Sequence, residues 1–206
     1  QPLPIDLSTY RPARNPIADD SRQKKAMGRK FSVVVAMHKS SHGIGQGGQL
    51  PWKLRADMLY FKQLTRSTRD ATKRNAVIMG RKTWQSIPEK FRPLADRLNV
   101  VVSSNAAARK EYAIPDDVLV ASSLPEALAL LAEDGVGRDV ESVFVIGGAS
   151  LYREALATPG LCERVHITNV CRLKGDGPEA VEDAAGFTLR PPRRGEGVRA
   201  SRRRGR

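Results

Sequence analysis

Six stretches of the chain are almost continuously apolar: FSVVVAM (31–37), NAVIMG (75–80), LNVVVSS (98–104), DVLVASS (117–123), SVFVIGG (142–148) and RVHITNV (164–170). Short runs without polar alternation predict strands buried on both faces, as in parallel sheets covered by helices. Between them, apolar residues recur at helical spacing over roughly 53–65, 82–87, 124–133 and 149–157. The third helix has a start signal. Ser123 and Glu126 fit a capping box, and Pro125 is tolerated in a first turn. Strands alternating with helices predict an α/β domain over 31–170, with a mainly parallel central sheet flanked by helices. Residues 1–30 are polar and Pro-interrupted and read as a disordered arm, and after Val170 the pattern stops.

Composition narrows the picture. A chain of 206 residues suffices for one domain with its own core. No apolar run approaches the ~20 residues that span a bilayer, and the first residues contain no signal-peptide stretch. The chain begins with Gln rather than Met, which fits a fragment or a gene-prediction boundary. Two cysteines, Cys162 and Cys171, make no disulfide framework, so a reducing compartment is expected. That gives a cytoplasmic location, with an organellar address left open. The net charge of +13 is concentrated in the flanks: +4 in residues 1–30 and +5 in 171–206, leaving +4 for the 140 residues between. Charge runs in such flanks are usually solvated, which disfavours nucleic-acid binding as the main activity.

GIGQGGQLPW (43–52) follows the first apolar run, and Gly43, Gly45 and Gly48 have the G-x-G-x-x-G spacing of a dinucleotide turn. Context excludes that reading. The third glycine should open a helix, yet Pro51 disfavours helix at Leu50. The acidic residue expected about 20 positions on should end a strand, and LTRSTRD (64–70) is not one. What is left is a Gly-rich loop, either a lid over a site or a surface turn.

In KLRADMLYFKQL, Leu54, Met58, Phe61 and Leu64 form an apolar stripe, and Asp57 falls on the same face. A desolvated carboxylate there takes up a proton or finds a donor. It is either a salt-bridged or capping residue or an acid facing a cleft. The stripe leaves it little route to water, which favours the cleft.

GIGQGGQLPWKLRADMLYFK, NAVIMGRKTWQSIPEKFRPLADRLNVVVSS and VFVIGGASLYREAL, in this order, resemble dihydrofolate reductase over about 31–170. The resemblance implies NADPH-dependent reduction of 7,8-dihydrofolate to tetrahydrofolate, with hydride going to C6 and a proton to N5. It supplies one-carbon and thymidylate metabolism. It places the cleft acid at Asp57, the water-holding neighbour at Trp52 and the acid's hydrogen-bonding threonine at Thr168. It makes the glycine loop a mobile lid with Ile44 and Leu50 as its apolar contacts. Val34, Ala36, Met58, Phe61 and Ile87 line the pterin and aminobenzoyl pocket with Leu94 and Ile146, and Phe91 stands by the folate tail. Arg97 matches the arginine that takes the substrate's α-carboxylate; the bland alternative is a surface ion pair.

For NADPH, the resemblance assigns Ala36, Ile44, Gly45 and Gly48 from the first strand and loop. Gly80, Arg81, Lys82 and Thr83 follow the second strand, where backbone N–H groups suit a phosphate. Ser103 and Ser104 follow the third strand. Ser104 stands where many relatives have a basic residue, so the 2′-phosphate side rests on Arg81 and Arg109. Gly147 and Gly148, which the family joins by a cis peptide, lead into Ala149, Ser150, Leu151 and Tyr152. Taken alone, a doubled glycine ending a strand is as often a turn. No metal site is read.

The family ends in an antiparallel hairpin that completes its sheet. Residues 171–206 are instead rich in Arg, Gly, Pro and Ala, so the hairpin is expected to be missing and the tail disordered. A shifted reading frame, an unspliced intron or a genuine basic tail on a shortened domain would each account for it. The edge this leaves at RVHITNV would be open. Relatives fused to thymidylate synthase suit the arm before Phe31, although no synthase motif is present in the chain. Two other functional classes stay open: a non-catalytic protein that binds NADPH or folate, and a basic nucleic-acid-binding protein.

Overall fold

The structure, a computed structural model, describes residues 29–39, 41–45, 49–52, 54–132, 136–158 and 160–170. The arm before Arg29, Gly48 of the loop and the tail 171–206, with the expected loss of the hairpin, lie outside the described residues.

Six strands form one sheet: β1 Phe31–His38, β2 Arg74–Gly80, β3 Arg97–Val102, β4 Leu119–Ala121, β5 Val140–Val145 and β6 Cys162–Val170. Their order is β4-β3-β2-β5-β1-β6, and every pairing is parallel. The helices are α1 Arg55–Arg66, α2 Arg81–Ser86, α3 Ala108–Glu111, α4 Leu124–Leu130 and α5 Ala149–Ala157. The expected mainly parallel sheet flanked by helices is the observed architecture.

Side-chain alternation explains the unbroken apolar runs. Val33, Val35, Ala76, Ile78, Val143 and Val145 point to one face, where they meet Leu124, Leu128, Leu151 and Ala155 of α4 and α5. Val34, Val77, Met79 and Phe144 point to the other, where they meet Trp84 of α2 and Phe61 and Leu64 of α1. Because both faces are covered, neither set can be polar.

Some details differ from the sequence pattern. The third and fourth strands stop short of their apolar runs, since Ser103, Ser104 and the Ser122–Ser123 pair turn into loops. The capping box is half made: Ser123 accepts the Glu126 N–H at 3.4 Å, but the Glu126 carboxylate goes to the backbone N–H of Ser122 at 2.7 Å, one residue too early. The last strand is not buried on both faces. Among the described residues β6 is an edge, and Ile167 is 39% exposed.

Candidate active site

Parallel strands bring their carboxyl ends to one side, so β1, β2 and β5 deliver Ala36, Gly80 and the segment after Val145 to the same rim. Chain order and spatial order part company here, because β5 is inserted between β1 and β2. Crevices form outside the carboxyl ends of strands at such places.

Helix α1 lies across this rim. It presents Asp57, Phe61 and Thr65, each one helical turn after the last, along one face. Asp57 is 5% exposed in the first turn, where Trp52 and Leu54 pack against Val170 and Ala36. Burial raises its pKa above the ordinary aspartate value, while a hydrogen bond from the Thr168 hydroxyl pulls it down. The helix start also favours the anion, but burial prevails. No cation pairs with Asp57 among the described residues, and Leu54 rather than Asp57 is the N-cap. Thr168 sits level with Ala36 in the β1–β6 register, which sets its hydroxyl in reach of the acid. Two phenols feel the same charge: Tyr60 and the buried Tyr152 are both raised, first by burial and then by Asp57.

Beyond β5 and Ile146 lies the cis Gly147–Gly148 bond. Gly147 has φ +130°, and a Cβ there would come within 3.2 Å of the Thr83 Oγ1 and 3.3 Å of the Tyr152 hydroxyl. The Gly147 carbonyl accepts the Gly80 N–H at 2.7 Å, and the Tyr152 hydroxyl donates to the Val34 carbonyl at 2.7 Å. The two strand ends are thereby tied together around a bare stretch of backbone. Gly148 caps α5 without a side-chain hydrogen bond, so the first N–H groups of that helix face outward with no intrahelical acceptor. Only a flat or anionic ligand brought close to main chain fits such a cradle. A dinucleotide cofactor fits on this ground.

At the other end of α1, Arg97 opens β3 and is 9% exposed. Its Nε donates to the Ala95 carbonyl at 3.0 Å and its Nη1 to the Thr65 hydroxyl at 2.7 Å. The guanidinium lies over the Phe61 ring at 5.8 Å. Burial lowers its pKa, as does the nearby Arg66, though guanidinium stays charged at any ordinary pH. It is not a surface ion pair: the adjacent Asp96 is bonded to Arg66 instead. Arg97, Leu94, Leu59 and Lys62 line an open groove of about 1120 Å³. Asp57 is not on its wall, so the groove belongs to the Arg97 end of α1 alone.

The other expected residues divide by location. Val34 is buried, and Phe61, Ile87, Leu94 and Ile146 pack against the α1–α2 side of the core. Met58 (45% exposed), Phe91 (57%) and Leu50 (45%) are uncovered large apolar side chains. The expected stripe is therefore buried only in part. Ile44 packs against the core, and a Cβ on Gly45 would meet the Gln49 carbonyl at 2.9 Å. Arg81 lies over the Tyr112 ring at 5.0 Å and bonds to Gln85 at 2.9 Å. Lys82 and Ser104 are exposed, and Ser103 accepts the Asn105 N–H at 3.3 Å. Arg109 donates to the carbonyls of Ile114, Pro115 and Val118 and meets Asp116 at 3.5 Å, so it braces its own loop. Leu59 and Thr65 were not singled out from sequence. The one-turn ladder from Asp57 through Phe61 would have marked Thr65.

A crevice at the ends of parallel strands, with a buried acid and a bare glycine cradle, is where α/β proteins of this kind place their ligand sites. The family description "Dihydrofolate reductase" matches residues 30–187. The chain is 50% identical over 140 residues to a bifunctional dihydrofolate reductase-thymidylate synthase of Arabidopsis thaliana, covering 68% of this chain and 24% of that protein. Over 142 residues it is 40% identical to the dihydrofolate reductase of Aedes albopictus, covering 69% and 74%. The solved dihydrofolate reductase of Schistosoma mansoni superposes with a TM-score of 0.62 at 38% identity, covering 79% of this chain and 95% of that one. The chain belongs to the dihydrofolate reductase family of oxidoreductases. It spans about a quarter of the length of the bifunctional plant relatives it matches.

Proposed function

We propose that the chain reduces 7,8-dihydrofolate to tetrahydrofolate at the expense of NADPH. The observation that carries the reading is the buried Asp57, without a cationic partner among the described residues and held by the Thr168 hydroxyl. NADPH, when bound, supplies the hydride. Gly147, Gly148 and the first turn of α5 hold its phosphates against bare backbone, with Gly80, Thr83 and Arg81 on the neighbouring strand end. Asp57 orients the pterin through hydrogen bonds, and its raised pKa favours a proton shared between the carboxyl and the pterin. Trp52, packed with Leu54 and Val170 beside the first turn of α1, keeps bulk water from the acid. Phe61 and Leu94 receive the aminobenzoyl ring, and Arg97 takes the carboxylate beyond it.

In the test, the purified full chain oxidises NADPH only when dihydrofolate is present. Asp57→Asn lowers turnover by about 10²–10⁴-fold while leaving NADPH binding, read by fluorescence, within about two-fold. Wild-type chain that binds NADPH but shows no dihydrofolate-dependent oxidation would instead favour a non-catalytic binder.

A further inference from the structure

The proposed site uses Arg97 to bind a carboxylate, and the contacts around it show how its donors are shared out. A guanidinium has five N–H donors and no acceptor. One, on Nε, is taken by the Ala95 carbonyl at 3.0 Å. A second, on Nη1, is taken by the Thr65 hydroxyl at 2.7 Å. That hydroxyl has a single hydrogen, already given to the Phe61 carbonyl at 2.8 Å, so toward Arg97 it can only accept. The other three N–H groups meet no protein acceptor among the described residues. The nearest acid, Asp96, is drawn off by Arg66.

Thr65 is itself fixed. It is wholly buried, and its carbonyl accepts the Asn75 side-chain amide at 3.1 Å. The same amide nitrogen donates to the Ser67 carbonyl at 2.9 Å, and the Asn75 side-chain oxygen accepts the Ser142 N–H at 3.1 Å. The end of α1 is thus fastened to β2 and β5 in the middle of the sheet. Asp57 and Thr65 lie eight residues apart on this helix, so about 12 Å of rigid rise separates the acid from the anchor of the guanidinium.

We propose that Thr65 is the positioning residue for Arg97: its hydroxyl, on a helix end that Asn75 fastens through the Thr65 carbonyl, turns the guanidinium so that the unused donors face the groove at a fixed distance from Asp57. This rests on the carboxylate role given to Arg97 above. Valine keeps the shape of threonine but offers no acceptor, whereas serine keeps the hydroxyl.

The experiment compares full-length wild type, Thr65→Val and Thr65→Ser on two substrates, dihydrofolate and a 7,8-dihydropterin that lacks the benzoylglutamate. Thr65→Val raises KM for dihydrofolate about ten-fold. It leaves kcat and the dihydropterin KM within about two-fold, and Thr65→Ser behaves as wild type. An equal loss on both substrates, or a serine variant as poor as valine, overturns the proposal. Hydrogen exchange at the Arg97 Nη1–H, the donor that the Thr65 hydroxyl accepts, is read by NMR and needs no turnover. It is slow in wild type and Thr65→Ser and fast in Thr65→Val. Equal exchange in all three overturns the positioning role even in an active enzyme. A wild type that reduces neither substrate, yet shows this exchange pattern, removes the proposed activity and leaves the positioning standing.

Discussion

At the scale of single residues, the acid at position 57 decides the behaviour with pH. Its folded-state pKa is raised by burial, so it binds a proton more readily folded than unfolded. Folding then takes up protons, and stability falls as pH rises from the ordinary aspartate value through the raised one. Asp57→Asn removes this penalty. Its urea midpoint is therefore expected to exceed that of wild type at neutral pH and to converge with it below about pH 4. A lower midpoint at neutral pH would show that the carboxylate is better satisfied than its surroundings indicate. Thr168 works in the opposite direction, since its hydroxyl donates to the anion. Thr168→Val should raise the Asp57 pKa further and move the alkaline limb of any activity profile upward. Asp57 could be read from sequence because one charge in an apolar stripe is conspicuous. Thr65 shows in the sequence only as the next rung after Asp57 and Phe61, and its use is visible once Arg97 is seen to bond it.

At the scale of elements, backbone rather than side chains makes the cofactor cradle. Gly147 combines positive φ with neighbours at 3.2 and 3.3 Å, so an added methyl must displace Thr83 or Tyr152. Gly147→Ala is expected to cost about 1–3 kcal/mol of stability and to weaken NADPH more than dihydrofolate, as titration of each ligand alone would show. Equal weakening of both would point to general damage. The strands were legible because parallel strands buried on two faces have no polar positions to interrupt them. Their ends were less so. Ser103 and Ser122 continue the β-like pattern locally, yet the register ends at Val102 and Ala121: the Ser103 N–H makes a last bond to the Ala121 carbonyl at 2.9 Å, and the Ser122 N–H turns to the Glu126 carboxylate. Helix α3 had no apolar period long enough to register in its four residues.

At the scale of the whole molecule, the arrangement of strands is the part a linear pattern conceals. Insertion of β5 between β1 and β2 creates the crevice, and it depends on pairing between Val33 and Val145, far apart in the chain. Periodicity along the chain carries no record of that order. The site draws residues from α1, β3, β5, α5 and β6, so ligand binding should stabilise the domain as a unit. NADPH at a hundredfold excess over its Kd is expected to add about 2.7 kcal/mol, seen as a single, shifted thermal transition that Gly147→Ala abolishes. A shift that survives in that variant would place the cofactor elsewhere.

The most direct measurement is the rate of NADPH oxidation by the full chain with saturating dihydrofolate, followed from acid to alkaline pH beside Asp57→Asn. The predicted wild-type rate falls along one limb as pH rises through the raised pKa of Asp57, and the variant is slow and flat. A wild-type profile without that limb, or a variant that matches wild type at neutral pH, would contradict a proton held at Asp57 as the basis of the chemistry.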